Sequence, residues 1–290
     1  MKIIFVNANN KSVEFGNSKP YVLISVDKTD IPEMDIFTQK APFQDGVALL
    51  GYSLKSRDVV IEAVIIGDDE NEVSFYRREL ITLLNPKLGL GTLIYDDGIH
   101  QYKIKAIVDG APIVSGSDRT KTYQRVLINL LCPEPYWSAL HEMLEELALW
   151  RGALEFPLEI PAEGIEFGYR ESTQVVTIDN QGDVPCALRV EFTALGTVKN
   201  PSLINVYTRE FITINKVMQA GEKITITTDF ANKRVVSEYE GIKQSALQYL
   251  DPNSTFLQLA VGENVLRYDA EENIDNLQVL LYYTPKYLGV

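Results

Sequence analysis

Histidine and cysteine are scarce in this chain of 290 residues, two of each. His100 and His141 have no partner at metal-ligand spacing, and Cys132 and Cys186 form no CxxC pair, so neither a zinc site nor a disulfide framework is indicated. Long apolar runs are missing too. None approaches the ~20 residues that span a bilayer. The start, Met1-Lys2-Ile3-Ile4-Phe5-Val6-Asn7, has no apolar core or cleavage site of a signal peptide and reads as a strand. Basic residues are outnumbered, 27 Lys and Arg against 40 Asp and Glu, for a net charge of −13. Residues 1–134 carry 15 basic against 18 acidic residues, and 135–290 carry 12 against 22. Tight nucleic-acid binding, which needs clustered cations to displace phosphate counterions, is not expected. There is no P-loop, Rossmann glycine fingerprint or GxSxG, so no cofactor and no nucleotide chemistry are expected. A folding compartment that keeps thiols reduced fits the cysteine usage.

What the chain does have is β-pattern. Residues 21–26, 59–66 and 123–131 are rich in β-branched and aromatic side chains. Thr92–Tyr95, the turn Asp96-Asp97-Gly98 and Gln101–Val108 read as a hairpin. One segment differs: Val73, Tyr76, Leu80 and Leu84 recur at helical spacing between Asp68-Asp69-Glu70 and Asn85-Pro86, predicting a helix near 70–84. Residues 109–120, DGAPIVSGSDRT, read as a flexible loop or an arm tip. Cys132-Pro133-Glu134-Pro135 ends the last strand of a first domain, 1–134, and a linker over 135–152 follows. Within it, 138–150 carries Leu140, Leu144 and Leu147 or Ala148 on one stripe, predicting a short helix capped by Ser138. Over 153–290, turn signals at 181–183, 200–201, 220–222 and 251–253 separate short alternating strands, of which Lys223-Ile224-Thr225-Ile226-Thr227 is the cleanest. The fold class is mainly β: an N-terminal β-sandwich-like domain with one α-helix and a long β-hairpin, then a C-terminal antiparallel β-sandwich or jelly roll.

Candidate chemistry is thin. His100 beside Asp96 and Asp97 is more ordinary as a solvated turn than as a metal site, and His141 in HEMLEE lacks the second histidine of a zinc helix. A glycosidase-type carboxylate pair is defined by its separation across a cleft, which no sequence spacing supplies. Tyr169, Tyr207, Phe211, Phe230, Tyr239 and the later aromatics could line a sugar platform but suit a core. Trp137 and Trp150 flank the linker and are read as packing the two domains together.

The order of these signals, with Asp45-Gly46, strand 57–66, helix 70–84, the Asp96-Asp97-Gly98 hairpin and the ending Cys132-Pro133-Glu134-Pro135-Tyr136, resembles siphophage distal tail proteins. Ile178-Asp179-Asn180-Gln181-Gly182-Asp183, Pro201-Ser202-Leu203-Ile204-Asn205 and Val261-Gly262-Glu263-Asn264-Val265-Leu266 are similar to that family's galectin-like C-terminal module, with Val261 departing from a frequent proline. The resemblance implies a non-enzymatic virion component of the tail tip or baseplate, made in the host cytoplasm. It implies a hexameric ring joining the tail tube to the tip, with the major tail tube protein, a tail-associated hub or lysin protein, and receptor-binding proteins or host surface glycans as neighbours. The hairpin of 101–108 and 121–131 would be the arm to a neighbouring subunit, through Tyr102, Ile104, Ile113, Arg119, Tyr123 and Arg125, with 109–120 as its tip. A net-acidic lumen would let DNA slide past rather than bind. The rival readings are a carbohydrate-binding accessory protein acting through 152–290 and a carboxylate enzyme.

Overall fold

A computed structural model describes residues 1–110, 113–147, 150–152, 168–170, 174–230 and 232–290, with backbone alone at 113–119, 150–152 and 168–170. The chain divides into two compact units, Met1–Leu140 with Lys286–Val290, and His141–Pro285. The last five residues thus belong with the first unit, where the sequence pattern had placed 153–290 in the second.

The first unit contains β1 Lys2–Val6, β2 Ser12–Phe15, β3 Tyr21–Asp27, β4 Met34–Gln39, β5 Ala48–Leu54, β6 Arg57–Ile66, α1 Glu70–Leu83, β7 Gly91–Asp96, β8 Gln101–Val108, β9 Ile113–Arg119, β10 Tyr123–Cys132 and β11 Trp137–Ala139. The main sheet runs β2-β1-β7-β8-β10-β6-β3 and curls until its ends meet, Gly16 of the β2 end bridging Val22 of β3. Strict alternation explains the curl and the core. In β6 every second residue from Arg57 to Ile65 is buried, and Val59, Ile61, Ala63 and Ile65 join Val126, Ile128 and Leu130 of β10 inside. Helix α1 starts where expected: the Asp69 carboxylate accepts from the amides of Asn71 and Glu72, and Val73, Leu80 and Leu83 are buried. It lies within the described residues as the sole α-helix. Gly91 has no alternative, because a Cβ there would stand 2.6 Å from the Phe5 ring.

Two expectations fail here. Residues 113–119 are not a loop, because β9 occupies Ile113–Arg119 and pairs with β10 at 124–127, while β8 pairs the same edge of β10 at Leu130 and Leu131. β8 and β9 thus lie along the same edge of β10, and Gly110, after β8, takes φ 83°; residues 111–112 lie outside the described residues. The turn is Thr120–Thr122, and the opposite edge of β10 is paired with β6 along its whole length. The helix predicted over 138–150 is also absent from the described part of that span. β11 takes Trp137–Ala139 and β12, Met143–Glu146, pairs with a strand at Leu277–Tyr283. The leucine spacing suits a helix, but an open sheet edge offers the same backbone a ladder, and tertiary context outweighs propensity. Leu147 follows into the second unit's core, its amide donating to Val279 O at 3.0 Å. Ala148 lies outside the described residues.

The second unit continues with β13 Trp150–Gly152, β14 Gly168–Arg170, β15 Val175–Asn180, β16 Cys186–Ala194, β17 Val198–Asn205, β18 Phe211–Thr213, β19 Val217–Met218, β20 Lys223–Thr227, β21 Arg234–Tyr239, β22 Ile242–Ser245, β23 Gln258–Leu259, β24 Gly262–Glu272 and β25 Leu277–Tyr283. One sheet runs β12-β25-β16-β20-β21-β22 and another β15-β24-β17-β18, with a shared core that includes Phe192, Ile224, Ile226, Leu266 and Leu281. Asn200-Pro201 does not separate strands as expected but lies within β17. Pro201 is tolerated because it sits where the pairing of β17 passes from β18 to β19, so no ladder donor is required of it. No helix among the described residues is long and apolar enough to cross a membrane.

Candidate interaction site

The connection from β3 to β6 leaves the sheet. β4 and β5 pair only with each other, in the register Met34↔Leu54, Ile36↔Tyr52, Phe37↔Gly51 and Thr38↔Leu49, and every residue of β4 is exposed. Along 31–52 the exposed side chains include Ile31, Met34, Ile36, Phe37, Phe43, Val47, Leu49, Leu50 and Tyr52, with Phe43 at the tip 107% and Tyr52 70% exposed. Ile36 and Tyr52 face each other on one side, continuing the Met34–Leu54 pair. A two-stranded ribbon is marginal alone in water, and a contiguous apolar surface of this kind marks a surface meant to be covered. Each such side chain contributes about 1.5–3 kcal/mol when fully buried.

The ribbon's root is held firmly. Arg57, 2% exposed, donates from Nε to Pro135 O at 3.0 Å, from Nη1 to Lys28 O at 3.0 Å and to Asp30 O, and from Nη2 to Leu288 O at 2.6 Å. Burial lowers its pKa, against nearby Cys132 and Asp30. Trp137 lies beneath the guanidinium, 5.8 Å from its ring centroid, and donates from Nε1 to Thr29 O at 3.2 Å. The Val290 amide reaches the same Thr29 carbonyl. Residues 28–30 are thereby fixed by a buried cation, an indole and the C-terminal residues, while Lys55 pairs with Glu33 and Asp35 at the ribbon's base.

The arm residues expected from the sequence are scattered by the fold. Ile104 is in the core, and Tyr102 stacks edge-on against Tyr287 at 5.1 Å. Arg125 pairs with Glu62 at 2.7 Å across the sheet face, and Tyr123 is exposed beside the β9–β10 turn. The side chains of Ile113 and Arg119 lie outside the described residues. Trp137 is wholly buried in the first unit's core, and the side chain of Trp150 lies outside the described residues. The ribbon 34–54 shows no clean period in the sequence because its apolar residues fall on both faces. That doubling was the available signal.

Elsewhere polar groups serve structure. Asp97 Oδ1 accepts from the amides of His100 and Ile99, which holds its carboxyl below the usual range. The Tyr282 ring is covered by Arg189 at 3.7 Å, itself held by Glu142 and Glu191, and Tyr268 is core. Tyr169 lies outside the described side chains. Asn180 donates to Val184 O and Leu259 O, Asn205 accepts from the amides of Tyr207 and Thr208, and Asn264 donates to Ala260 O and Gly262 O. These turn asparagines satisfy backbone groups that hairpin ends would otherwise leave bare.

Comparison with known proteins follows the same division. The phage tail protein RIFT-related domain matches residues 9–132, and the C-terminal domain of the siphovirus-type tail component matches residues 181–287. No curated protein matches the chain. Among solved structures, the Dit protein of phage SPP1, described as a paradigm of the hub adsorption apparatus in phages infecting Gram-positive hosts, superposes with a TM-score of 0.71 at 12% identity over 98% of each chain. A chain of the phage P2 baseplate in its activated conformation with Ca superposes with a TM-score of 0.58 at 10% identity over 100% of each.

Proposed function

The chain belongs to the distal tail proteins of siphophages, and we propose that, as a structural component of the tail hub, it closes into a six-membered ring joining the tail tube to the tip. The observation that carries this reading is the ribbon β4–β5, an apolar surface on a rigid root with nothing of its own unit laid over it. A neighbouring copy is the cover it fits. The contact is heterologous, ribbon against another face, and such contacts close into rings when the rotation permits. The turn at Tyr123 is a second, smaller contact in this reading. The ring's two faces meet the tail tube protein and a tail-associated hub protein, and the second unit serves contacts with receptor-binding proteins.

The test is sedimentation of the full chain beside the double variant Phe37→Glu, Leu49→Asp. Both positions are exposed, so the variant keeps its fold. The parent is expected to sediment as a hexamer and the variant as a monomer with unchanged circular dichroism. An equal mass for both removes the ribbon from assembly.

A further inference from the structure

Among the described residues the sheet of the second unit ends at β22, and that end is unusual in its charge. β22 pairs with β21 on one side in the register Val236↔Ser245, Ser237↔Gln244, Glu238↔Lys243 and Tyr239↔Ile242. The Ala246 amide donates to Val235 O, which fixes the alternation: Ile242 and Gln244 exchange bonds with β21, whereas the N–H and C=O of Lys243 and Ser245 point away from the sheet. All four residues of β22 are exposed. At the end of the sheet a groove of about 350 Å³ lies across β21 and β22, its lining including Lys233, Arg234, Val236, Lys243 and Ser245, with no carboxylate among its lining residues. Residues 135–290 hold only 12 basic residues against 22 acidic ones, and three of those 12 meet here.

Most other cations of the unit are neutralised locally, Arg189 by Glu142 and Glu191, Lys199 by Glu271 and Glu272, and Lys216 by Glu222. Lys243 meets its cross-strand partner Glu238 at 3.4 Å. Lys233 rests over the Phe256 ring at 5.1 Å, and among the described residues neither it nor Arg234 has a carboxylate within ion-pair reach. The two faces of the edge also differ. Arg234, Lys243 and Ser245 share one face by register with a single carboxylate, Glu238 opposite Lys243, and Ile242, 68% exposed, lies on the other.

We propose that the free edge of β22 takes an extended segment of a partner tail protein as an added strand, one that alternates acidic and apolar residues. Backbone pairing with Lys243 and Ser245 would supply affinity and register, the carboxylates would meet Arg234, Lys243 and Lys233, and the apolar residues would extend the face of Ile242. The inference rests on the tail-hub reading for the kind of partner only. The free backbone groups favour a polypeptide over a simple polyanion.

The probe is the amidated octapeptide (Glu-Val)4 carrying fluorescein at its N-terminus, titrated onto the full chain by fluorescence anisotropy, with hydrogen exchange of residues 242–246 followed by mass spectrometry. Binding should slow that exchange, weaken with added salt, and fall at least tenfold for Lys233→Glu, Arg234→Glu. It should fall as far for Ser245→Pro, which removes an outward N–H and leaves the pairing with β21 intact. Independent of any variant's folding, a peptide N-methylated at alternate residues should lose the same tenfold. Equal binding of the methylated peptide, or binding of inorganic polyphosphate but not of the peptide, overturns strand addition. The same titration on the Phe37→Glu, Leu49→Asp chain separates the two readings: a chain that never assembles yet binds the peptide leaves this inference standing, and a ring that ignores it removes this inference alone.

Discussion

Replacing Arg57 by Met removes a buried cation while keeping most of the side chain's volume over Trp137. The guanidinium donates to the carbonyls of Lys28, Asp30, Pro135 and Leu288, and methionine satisfies none of them. A hydrogen bond from a charged donor contributes about 1.5–3 kcal/mol, but the parent already bears the cost of desolvating the cation, so the four do not add. Each buried carbonyl left without a donor costs about 1–3 kcal/mol, and relief from burying the cation offsets part of that sum, so we expect a net loss of about 3–5 kcal/mol. In a chain of this size each kcal/mol corresponds to about 2–4 °C in melting temperature, so the first unit should melt roughly 6–20 °C lower. Near-ultraviolet circular dichroism reads this directly, because Trp137 lies under Arg57. Hydrogen exchange should rise at 28–30 and 286–290 together, since one side chain ties both. Arg57→Lys, with three donors at most and no planar fork, should fall between. A melting temperature within 2 °C of the parent, or faster exchange at 28–30 with 286–290 unchanged, would refute the view that one cation fixes the ribbon's root and the C-terminal residues.

Other outcomes follow from the same structure. Cys132 and Cys186 are buried, and burial pushes the Cys132 thiol up to about 12, so a thiol reagent such as Ellman's should label neither at pH 8 until the chain unfolds. Burial raises Glu222, but its bonds from Lys216, Ser237 and the Gln219 amide outweigh this and leave the carboxyl below its ordinary value. Its stabilisation is therefore complete above the unfolded pKa of about 4.3 and lost as pH falls through the lower folded value. The stability gap between parent and Glu222→Gln, about 2 kcal/mol at pH 7 by the cost of an unmet charged partner, should close below pH 4 in urea titrations. Asn264→Ala should cost about 1–3 kcal/mol by baring the Ala260 and Gly262 carbonyls, read as a lower urea midpoint with an unchanged slope.

Much of the fold was legible because alternation and capping act locally. Asp69 and the 73–80 spacing announced α1, and Ile224 and Ile226 announced the buried face of β20. The failures came where a distant partner decided. Leu140 to Leu147 has helical spacing but meets the open edge of β25, and 113–119 has loop composition but meets the edge of β10. Pro201 looked like a break and is a strand residue beside a gap in pairing. The site was the least legible part. Its apolar residues are exposed, the reverse of what hydrophobicity in a sequence ordinarily means, and Arg57 gave no sign that its partners would be four carbonyls remote in the chain.

Electron microscopy of the purified full chain at micromolar concentration addresses the central claim most directly. Closed rings with six-fold symmetry, lost in the Phe37→Glu, Leu49→Asp variant, are the predicted result. Single particles of one subunit at every concentration, or rings that persist unchanged in the variant, would contradict it.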